Sequence, residues 1–100
     1  MADKGLSSDA DVQTALGELP GWKRDGKTLV KTFDMHGFKG AVAFVAKIAD
    51  LAERADHHPD MLIQTKRVTV TLTSHDAGGI TSRDLRLARQ IEAAAKDQTT

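Results

Sequence analysis

The sequence lacks cysteine, net charge and any long apolar run, and each absence excludes a class of protein. With 0 cysteines, the chain can form neither disulfides nor thiolate metal sites. Its 14 Lys and Arg residues balance 14 Asp and Glu residues, so no basic field favours nonspecific binding to nucleic acid or anionic membranes. The longest apolar run, residues 41–46, is far shorter than the roughly 20 residues of a membrane span.

The first residues of the chain and its length indicate its location and its number of domains. Residues 1–5 (MADKG) contain neither the hydrophobic stretch nor the cleavage site of a secretory signal. A length of 100 residues suits one domain, and 40% apolar content is enough for a core. We therefore expect a cytoplasmic protein whose single domain spans residues 1–100.

The first third of the chain predicts a helix followed by a β-hairpin. The Ser7-Ser8 pair precedes acidic residues and an apolar helical pattern, which predicts a capped helix that ends at Pro20-Gly21. Residues 22–35 have the pattern of two strands joined at Asp25-Gly26, a dipeptide typical of hairpin turns. We expect the Trp22 ring to close one end of the core.

A long amphipathic helix is predicted from about Gly37 to Asp56, because apolar residues recur there at steps of three and four. The residues of this stripe are Phe38, Ala41, Val42, Val45, Ile48, Ala49 and Ala52. Phe44 and Leu51 lie outside the stripe and share a second face, which either widens the buried surface or contacts another subunit. Pro59 predicts that the helix ends shortly before it.

Two further strands and a helix complete the predicted fold. Residues 61–64 supply a short third strand, and residues 67–73 supply a fourth in which apolar and polar side chains alternate. A turn at Gly78-Gly79 and a cap at Thr81 or Ser82 lead into the final helix. We therefore predict an α+β fold of order α-β-β-α-β-β-α, with helices packed on one face of an antiparallel four-stranded sheet.

Three of the 4 histidines lie beside turns: His57 and His58 before Pro59, and His75 at the end of the fourth strand. Imidazole titrates near neutral pH, so histidines from both segments around one pocket would suit proton transfer with a neutral organic substrate. If the strand continues to His75, that side chain lies on the polar, open face of the sheet. The alternative is that all three are ordinary surface residues near a helix end and a turn.

Acidic residues near the histidines suggest two other roles. Histidines together with Asp56, Asp60, Asp76 or Asp84 have the donor types of a metal shell. The spacing is unfavourable, because neighbouring residues on a helix diverge by about 100° and the sequence has no helical His-x-x-x-His pair, so we predict no metal site. Asp84 lies three residues after Thr81 and so resembles the acidic member of a helix capping box.

Two segments together resemble the pterin-4a-carbinolamine dehydratase family. The first is residues 53–60 (ERADHHPD), and the second is residues 68–76 (VTVTLTSHD), followed by residues 81–84 (TSRD). In that family an acidic or similar residue stands four positions before the first histidine, and an aspartate stands nine positions after the third, as Asp84 follows His75. The resemblance extends from residue 19 into the final helix.

The resemblance implies dehydration of 4a-hydroxytetrahydrobiopterin, or a related 4a-carbinolamine, to the quinonoid dihydropterin during tetrahydrobiopterin recycling. Water leaves C4a when its hydroxyl is protonated and the N5 proton is lost, so one group must donate and another must accept. The implied catalytic set is His57, His58, His75 and Asp84, with His57 and His75 as the acid/base pair. The residues implied to line the substrate are His57, His58, Pro59, Ser74, His75, Asp76 and Ala77. No metal or cofactor is implied, because the pterin is the substrate.

Two positions depart from the family pattern. Family members usually carry an aromatic residue ten positions before the third histidine, where this chain has Thr65, and many carry tryptophan where it has Met61. An aromatic residue missing from the pocket wall would weaken stacking on a flat heterocycle.

The alternative function is a non-catalytic assembly or interaction factor. Relatives of this fold resemble Rubisco assembly chaperones or dimerisation cofactors of a homeodomain transcription factor, and the changes at Thr65 and Met61 favour such a role. The three retained histidines favour the enzyme. The resemblance also implies a homodimer or homotetramer, which the second apolar face of the long helix allows.

Overall fold

Three helices pack on one face of a four-stranded antiparallel sheet in residues 5–99, the part of the chain that the computed structural model describes. Residues 1–4, from which we inferred that the sequence has no secretory signal, lie outside the described residues. The elements are α1 (Asp9–Leu16), β1 (Lys23–Asp25), β2 (Thr28–Asp34), α2 (Gly37–Ala55), β3 (Asp60–Gln64), β4 (Arg67–Leu72) and α3 (Ser82–Thr99). The predicted order and fold class are confirmed. No helix within the described range combines the length and apolar character that crossing a membrane requires.

Strand β4 lies inside the sheet, between β2 and the edge strand β3, in the order β1-β2-β4-β3. The alternation predicted for β4 is observed, because Val68, Val70 and Leu72 are fully buried against the helices. On the opposite face, the hydroxyls of Thr32 and Thr69 bond to each other at 2.9 Å in an exposed position. The sheet therefore has one face in the core and one polar face.

Helix α1 starts where the sequence predicts and ends earlier. The Ser8 hydroxyl is the N-cap and accepts a hydrogen bond from the Asp11 backbone N–H at 3.1 Å. The helix ends at Leu16, and the Glu18 N–H then donates to the Ala15 carbonyl at 2.9 Å. This tighter bonding, three residues apart, turns the chain before Pro20-Gly21 is reached.

Helix α2 buries only part of the stripe that the sequence pattern predicts, and it buries Phe44 as well. Its buried residues are Ala41, Phe44, Ile48 and Ala52. Phe38 and Val42 are 60% and 44% exposed, whereas the Phe44 ring packs edge-to-face on Phe33 with centroids 4.9 Å apart. Burial of a phenyl ring removes more apolar surface from water than burial of a valine, which favours this rotation. The first of the two alternatives for Phe44 and Leu51 is confirmed: their face widens the buried surface of the helix, since Phe44 is fully buried and Leu51 packs against the core.

Trp22 closes one end of the core, as predicted. The residue is 5% exposed, and its ring lies 5.9 Å from that of Phe33 in an edge-to-face contact. Its indole Nε1–H donates to the Glu92 carboxylate of α3 at 2.9 Å. The polar atom of this large side chain is therefore satisfied within the fold.

Helix α2 ends in a reverse turn that places His57 directly after it. Asp56 has φ 51° and ψ 43°, in the left-handed region. The Asp56 N–H donates to the Glu53 carbonyl at 3.3 Å, and the His57 N–H donates to the Ala52 carbonyl at 3.1 Å. This bonding pattern is that of a Schellman motif. The motif ends the helix ahead of Pro59 and holds the His57 backbone in place.

Replacing Asp56 with glycine should raise the free energy of unfolding by about 0.5–1 kcal/mol, as measured by urea denaturation. Glycine adopts the left-handed conformation without Cβ strain, and the change removes a negative charge from the negative end of α2. Asp50→Gly, at an exposed position inside the same helix, is the control and should lower the free energy of unfolding by about 0.5 kcal/mol. Destabilisation by both substitutions would contradict this account of the helix end.

Candidate functional site

Three histidines from two distant segments line one shallow hollow. His57 and His58 follow α2, and His75 follows β4. The hollow has a volume of about 370 Å³, and we call it the histidine hollow. Its lining residues are Asp56, His57, His58, Thr73, His75, Asp76 and Arg83. Six charged or titratable side chains, three of them imidazoles, thus surround a cavity of small-molecule size.

A tight turn after β4 determines where His75 lies. The strand ends at Leu72 rather than continuing to residue 75. The Ser74 N–H donates to the Gly79 carbonyl at 2.9 Å, and the Gly78 N–H donates back to the Ser74 carbonyl at 2.9 Å. Gly78 has φ 82°, which a residue with a side chain rarely adopts. His75 is therefore an exposed residue of this turn, beside the hollow, and strand alternation does not set its position.

Asp84 is fully buried next to His57 and uses both of its oxygens. Oδ1 lies 2.6 Å from His57 Nε2. Oδ2 accepts hydrogen bonds from the Thr81 backbone N–H and the Ser74 hydroxyl, both at 2.9 Å. The Thr81 hydroxyl in turn accepts from the Arg83 N–H at 3.2 Å, so Thr81 is the N-cap of α3. Asp84 therefore completes the expected capping box and also holds the ring of His57.

The bond to Asp84 limits what His57 can do. An ionised carboxylate only accepts hydrogen bonds, so Nε2 of a neutral His57 carries the hydrogen and donates it to Asp84. Nδ1 is then the ring nitrogen that has a free lone pair. With the residue 8% exposed, this arrangement also restricts rotation of the ring.

Three residues implied to line the substrate do not line the histidine hollow: Pro59, Ser74 and Ala77. Ser74 and Ala77 are 1% and 8% exposed. The Ser74 hydroxyl bonds to the Thr81 hydroxyl at 2.8 Å as well as to Asp84. Ser74 therefore supports the buried carboxylate and does not form part of the cavity wall.

Two hydrogen-bonded pairs of side chains stand at the rim of the histidine hollow. His58 Nε2 lies 2.6 Å from the Glu53 carboxylate, with both side chains exposed. Arg83 donates to both oxygens of Asp76, at 2.9 and 3.1 Å. These hydrogen bonds from Arg83 hold the pKa of Asp76 below its ordinary value, so that this carboxylate is ionised at neutral pH. Between residues 5 and 99, no group of three or more His, Asp or Glu side chains is arranged to hold a metal ion.

The sequence did not single out Asp56, Thr73 or Arg83 as part of the lining. Asp56 directly precedes His57, and Thr73 directly precedes Ser74. Their adjacency to predicted site residues was therefore a signal that could have identified them. Arg83 enters from the first turn of α3, and its pairing with Asp76 is visible only in three dimensions.

Thr65 and Met61, where the family pattern has aromatic residues, do not line the histidine hollow. Thr65 belongs to the turn that joins β3 to β4, at the opposite end of β4 from His75. Met61 pairs with Val70 and packs against the buried core. The missing aromatic side chains therefore leave the lining of the hollow unaffected.

Comparisons with known proteins match the chain to one protein family. The family model described as pterin 4 alpha carbinolamine dehydratase matches residues 6–94. A putative pterin-4-alpha-carbinolamine dehydratase of Roseiflexus sp. (strain RS-1) is 51% identical over 85 residues, which make up 85% of this chain and 91% of that protein.

Two solved structures share the fold. One is a transcriptional coactivator/pterin dehydratase from Brucella melitensis, with a TM-score of 0.86 and 33% identity over 90% of this chain and 98% of that one. The other is a pterin dehydratase-like protein described as a RuBisCO assembly factor in the alpha-carboxysome, with a TM-score of 0.64 and 27% identity over 75% of this chain and 89% of that one. The family model and the extent of identity establish that the chain belongs to the pterin-4-alpha-carbinolamine dehydratase family.

Proposed function

We propose that this chain catalyses the dehydration of a pterin 4a-carbinolamine, such as 4a-hydroxytetrahydrobiopterin, to the quinonoid dihydropterin. The observation that carries the proposal is the meeting of His57, His58 and His75 around one cavity of about 370 Å³. That volume is within the range of small-molecule sites, about 300–1,000 Å³. Membership of the dehydratase family supports the same reaction.

His57 is the proposed general base. Its Nε2 bonds to buried Asp84, so Nδ1 is the atom that would accept the N5 proton of the substrate. The electron pair of the N5–H bond then forms the N5=C4a double bond. Asp84 orients the ring and provides the negative charge that faces His57 when it has taken the proton.

His75 is the proposed general acid. It would protonate the 4a-hydroxyl as the C4a–O bond breaks, so that the oxygen leaves as water. Its exposed position in the turn after β4 allows it to recover a proton from solvent. His58, together with Glu53, would help hold the pterin at the rim.

Purified protein should accelerate loss of the 4a-hydroxyl, followed by ultraviolet absorbance, and His57→Ala and His75→Ala should each lower the rate about tenfold or more. His36→Ala is the matched control, because the fourth histidine lies at the start of α2, outside the histidine hollow. His75 is exposed, so its variant should fold normally even if His57→Ala is destabilised. A rate with native protein equal to that in buffer would contradict the enzymatic function outright.

The second candidate is a non-catalytic assembly or interaction factor. The observation that favours it is the likeness to a protein described as a RuBisCO assembly factor. Exposed Phe38 and Val42 on α2 offer apolar surface for such contacts, or for the predicted homodimer or homotetramer. A gene neighbourhood with an aromatic amino acid hydroxylase would favour the enzyme, and one with carbon-fixation genes would favour the assembly role. The expected cytoplasmic location stays a prediction.

A further inference from the structure

A second cavity lies between the end of α2 and the start of α3, and Arg83 lines both this cavity and the histidine hollow. Its volume is about 270 Å³. Three arginines line it, Arg54 from α2 and Arg83 and Arg86 from α3, and we call it the arginine cavity. The rest of its wall consists of Gln90 and the apolar residues Leu51, Ala55 and Leu87, of which Leu87 is buried.

The charges around the arginine cavity are not balanced. No acidic residue is among those that line it. Arg83 is paired with Asp76 through both carboxylate oxygens. Neither Arg54 nor Arg86 forms an ion pair or a side-chain hydrogen bond within the described part of the chain. Two guanidinium groups from different helices therefore face one concave space without a counter-charge, and a bound dianion would offset their mutual repulsion.

The shape and chemistry of the arginine cavity select the kind of anion. The planar guanidinium group matches the geometry of phosphate oxygens and can donate two parallel hydrogen bonds to them. The apolar wall at Leu51 and Ala55 offers contact to an uncharged part of the same molecule.

We propose that the arginine cavity binds a small organic phosphate monoester, with its phosphate between Arg54 and Arg86 and its apolar part on Leu51 and Ala55. This site is separate from the histidine hollow, although Arg83 lines both cavities. The proposal concerns binding, so it does not depend on the dehydratase activity of the chain.

Isothermal titration of the full chain with phenyl phosphate, at one fixed ionic strength, tests the proposal. Phenyl phosphate should bind saturably and more tightly than inorganic phosphate, and phenol should not bind. Arg54→Gln and Arg86→Gln should each weaken binding about tenfold. Both residues are exposed, so the variants should remain folded.

Arg89→Gln is the matched control, because Arg89 lies on the same helix, near Glu18 at 3.7 Å, and outside the arginine cavity. Its affinity for phenyl phosphate should equal that of the native chain. Three results would overturn the proposal: no saturable binding of phenyl phosphate, equal weakening by Arg89→Gln, or binding of phenyl phosphate no tighter than that of inorganic phosphate. The last result would mean that the apolar wall contributes nothing.

Discussion

Replacing Asp84 with asparagine should lower the dehydration rate by about a hundredfold or more while α3 stays capped and the protein stays folded. Asparagine can still accept hydrogen bonds from the Thr81 N–H and the Ser74 hydroxyl through its single amide oxygen. Its NH₂ group must then face His57 Nε2. The number of buried hydrogen bonds is therefore preserved.

The same substitution changes the protonation pattern of His57. An amide NH₂ donates, so Nε2 has to become the acceptor and the ring hydrogen moves to Nδ1. Nδ1 is the atom proposed to take the N5 proton, and in this tautomer it has no free lone pair. Asparagine also lacks the negative charge that would face a protonated His57. Both effects lower the rate without removing a side chain from the core.

Three measurements separate this positioning role of Asp84 from a purely structural one. Ultraviolet assays give the rate, urea denaturation gives the free energy of unfolding, and long-range ¹H–¹⁵N NMR spectra report which imidazole nitrogen of His57 carries hydrogen. An unchanged dehydration rate in a folded Asp84→Asn protein would show that Asp84 acts only as a helix cap.

Ser74→Ala is the matched variant for this experiment. It removes one hydrogen bond to Asp84 Oδ2 and leaves the carboxylate charge and the bond to His57 in place. The rate should fall about tenfold or less, and the His57 tautomer should not change. A loss as large as that of Asp84→Asn, with the native tautomer, would contradict the role assigned to the tautomer.

Phe44→Ala should lower the free energy of unfolding by about 3–5 kcal/mol, the largest effect on stability that we expect. The Phe44 side chain is fully buried, and its ring contacts Phe33, which in turn contacts Trp22. Truncation leaves a cavity at one end of this aromatic series and removes the edge-to-face contact with Phe33. Urea denaturation measures the loss. If the alanine variant does not fold, Phe44→Leu should show a smaller loss of about 1–2 kcal/mol.

Phe38→Ala is the control for the rotation of α2, because it removes the same side chain from the same helix at a position that is 60% exposed. We expect its free energy of unfolding to stay within about 0.5 kcal/mol of the native value. Denaturation at two protein concentrations separates any contribution of Phe38 to association. If both substitutions lowered the free energy of unfolding equally, at either protein concentration, the result would instead support burial of the stripe that includes Phe38.

The features that the sequence predicted correctly depend on residues close together in the chain. Ser8 caps α1, Thr81 and Asp84 form a capping box three residues apart, and the fourth strand alternates as expected. Such patterns reflect the periods of helix and strand and the bonding needs of helix ends, which neighbouring residues satisfy. The element order followed from them.

The errors arose where two local patterns were equally good. A stripe through Phe38 and Val42 and a stripe through Phe44 both have helical spacing, and only the position of Phe33 on the sheet decides between them. Likewise, alternation along β4 could not locate His75, because the strand ends at Leu72. The hydrogen bonds of the following turn determine the position of His75 instead.

By itself the sequence determined the element order, the family and the chemical types in the candidate site, because all of these are properties of short segments and their spacing. Tertiary structure decided that Asp84 is buried against His57, 27 residues away. It also decided that Arg54 shares a cavity with Arg86. Both contacts depend on how the end of α2 packs on the start of α3, and that packing is set by burial of apolar surface throughout the core, which no local spacing encodes.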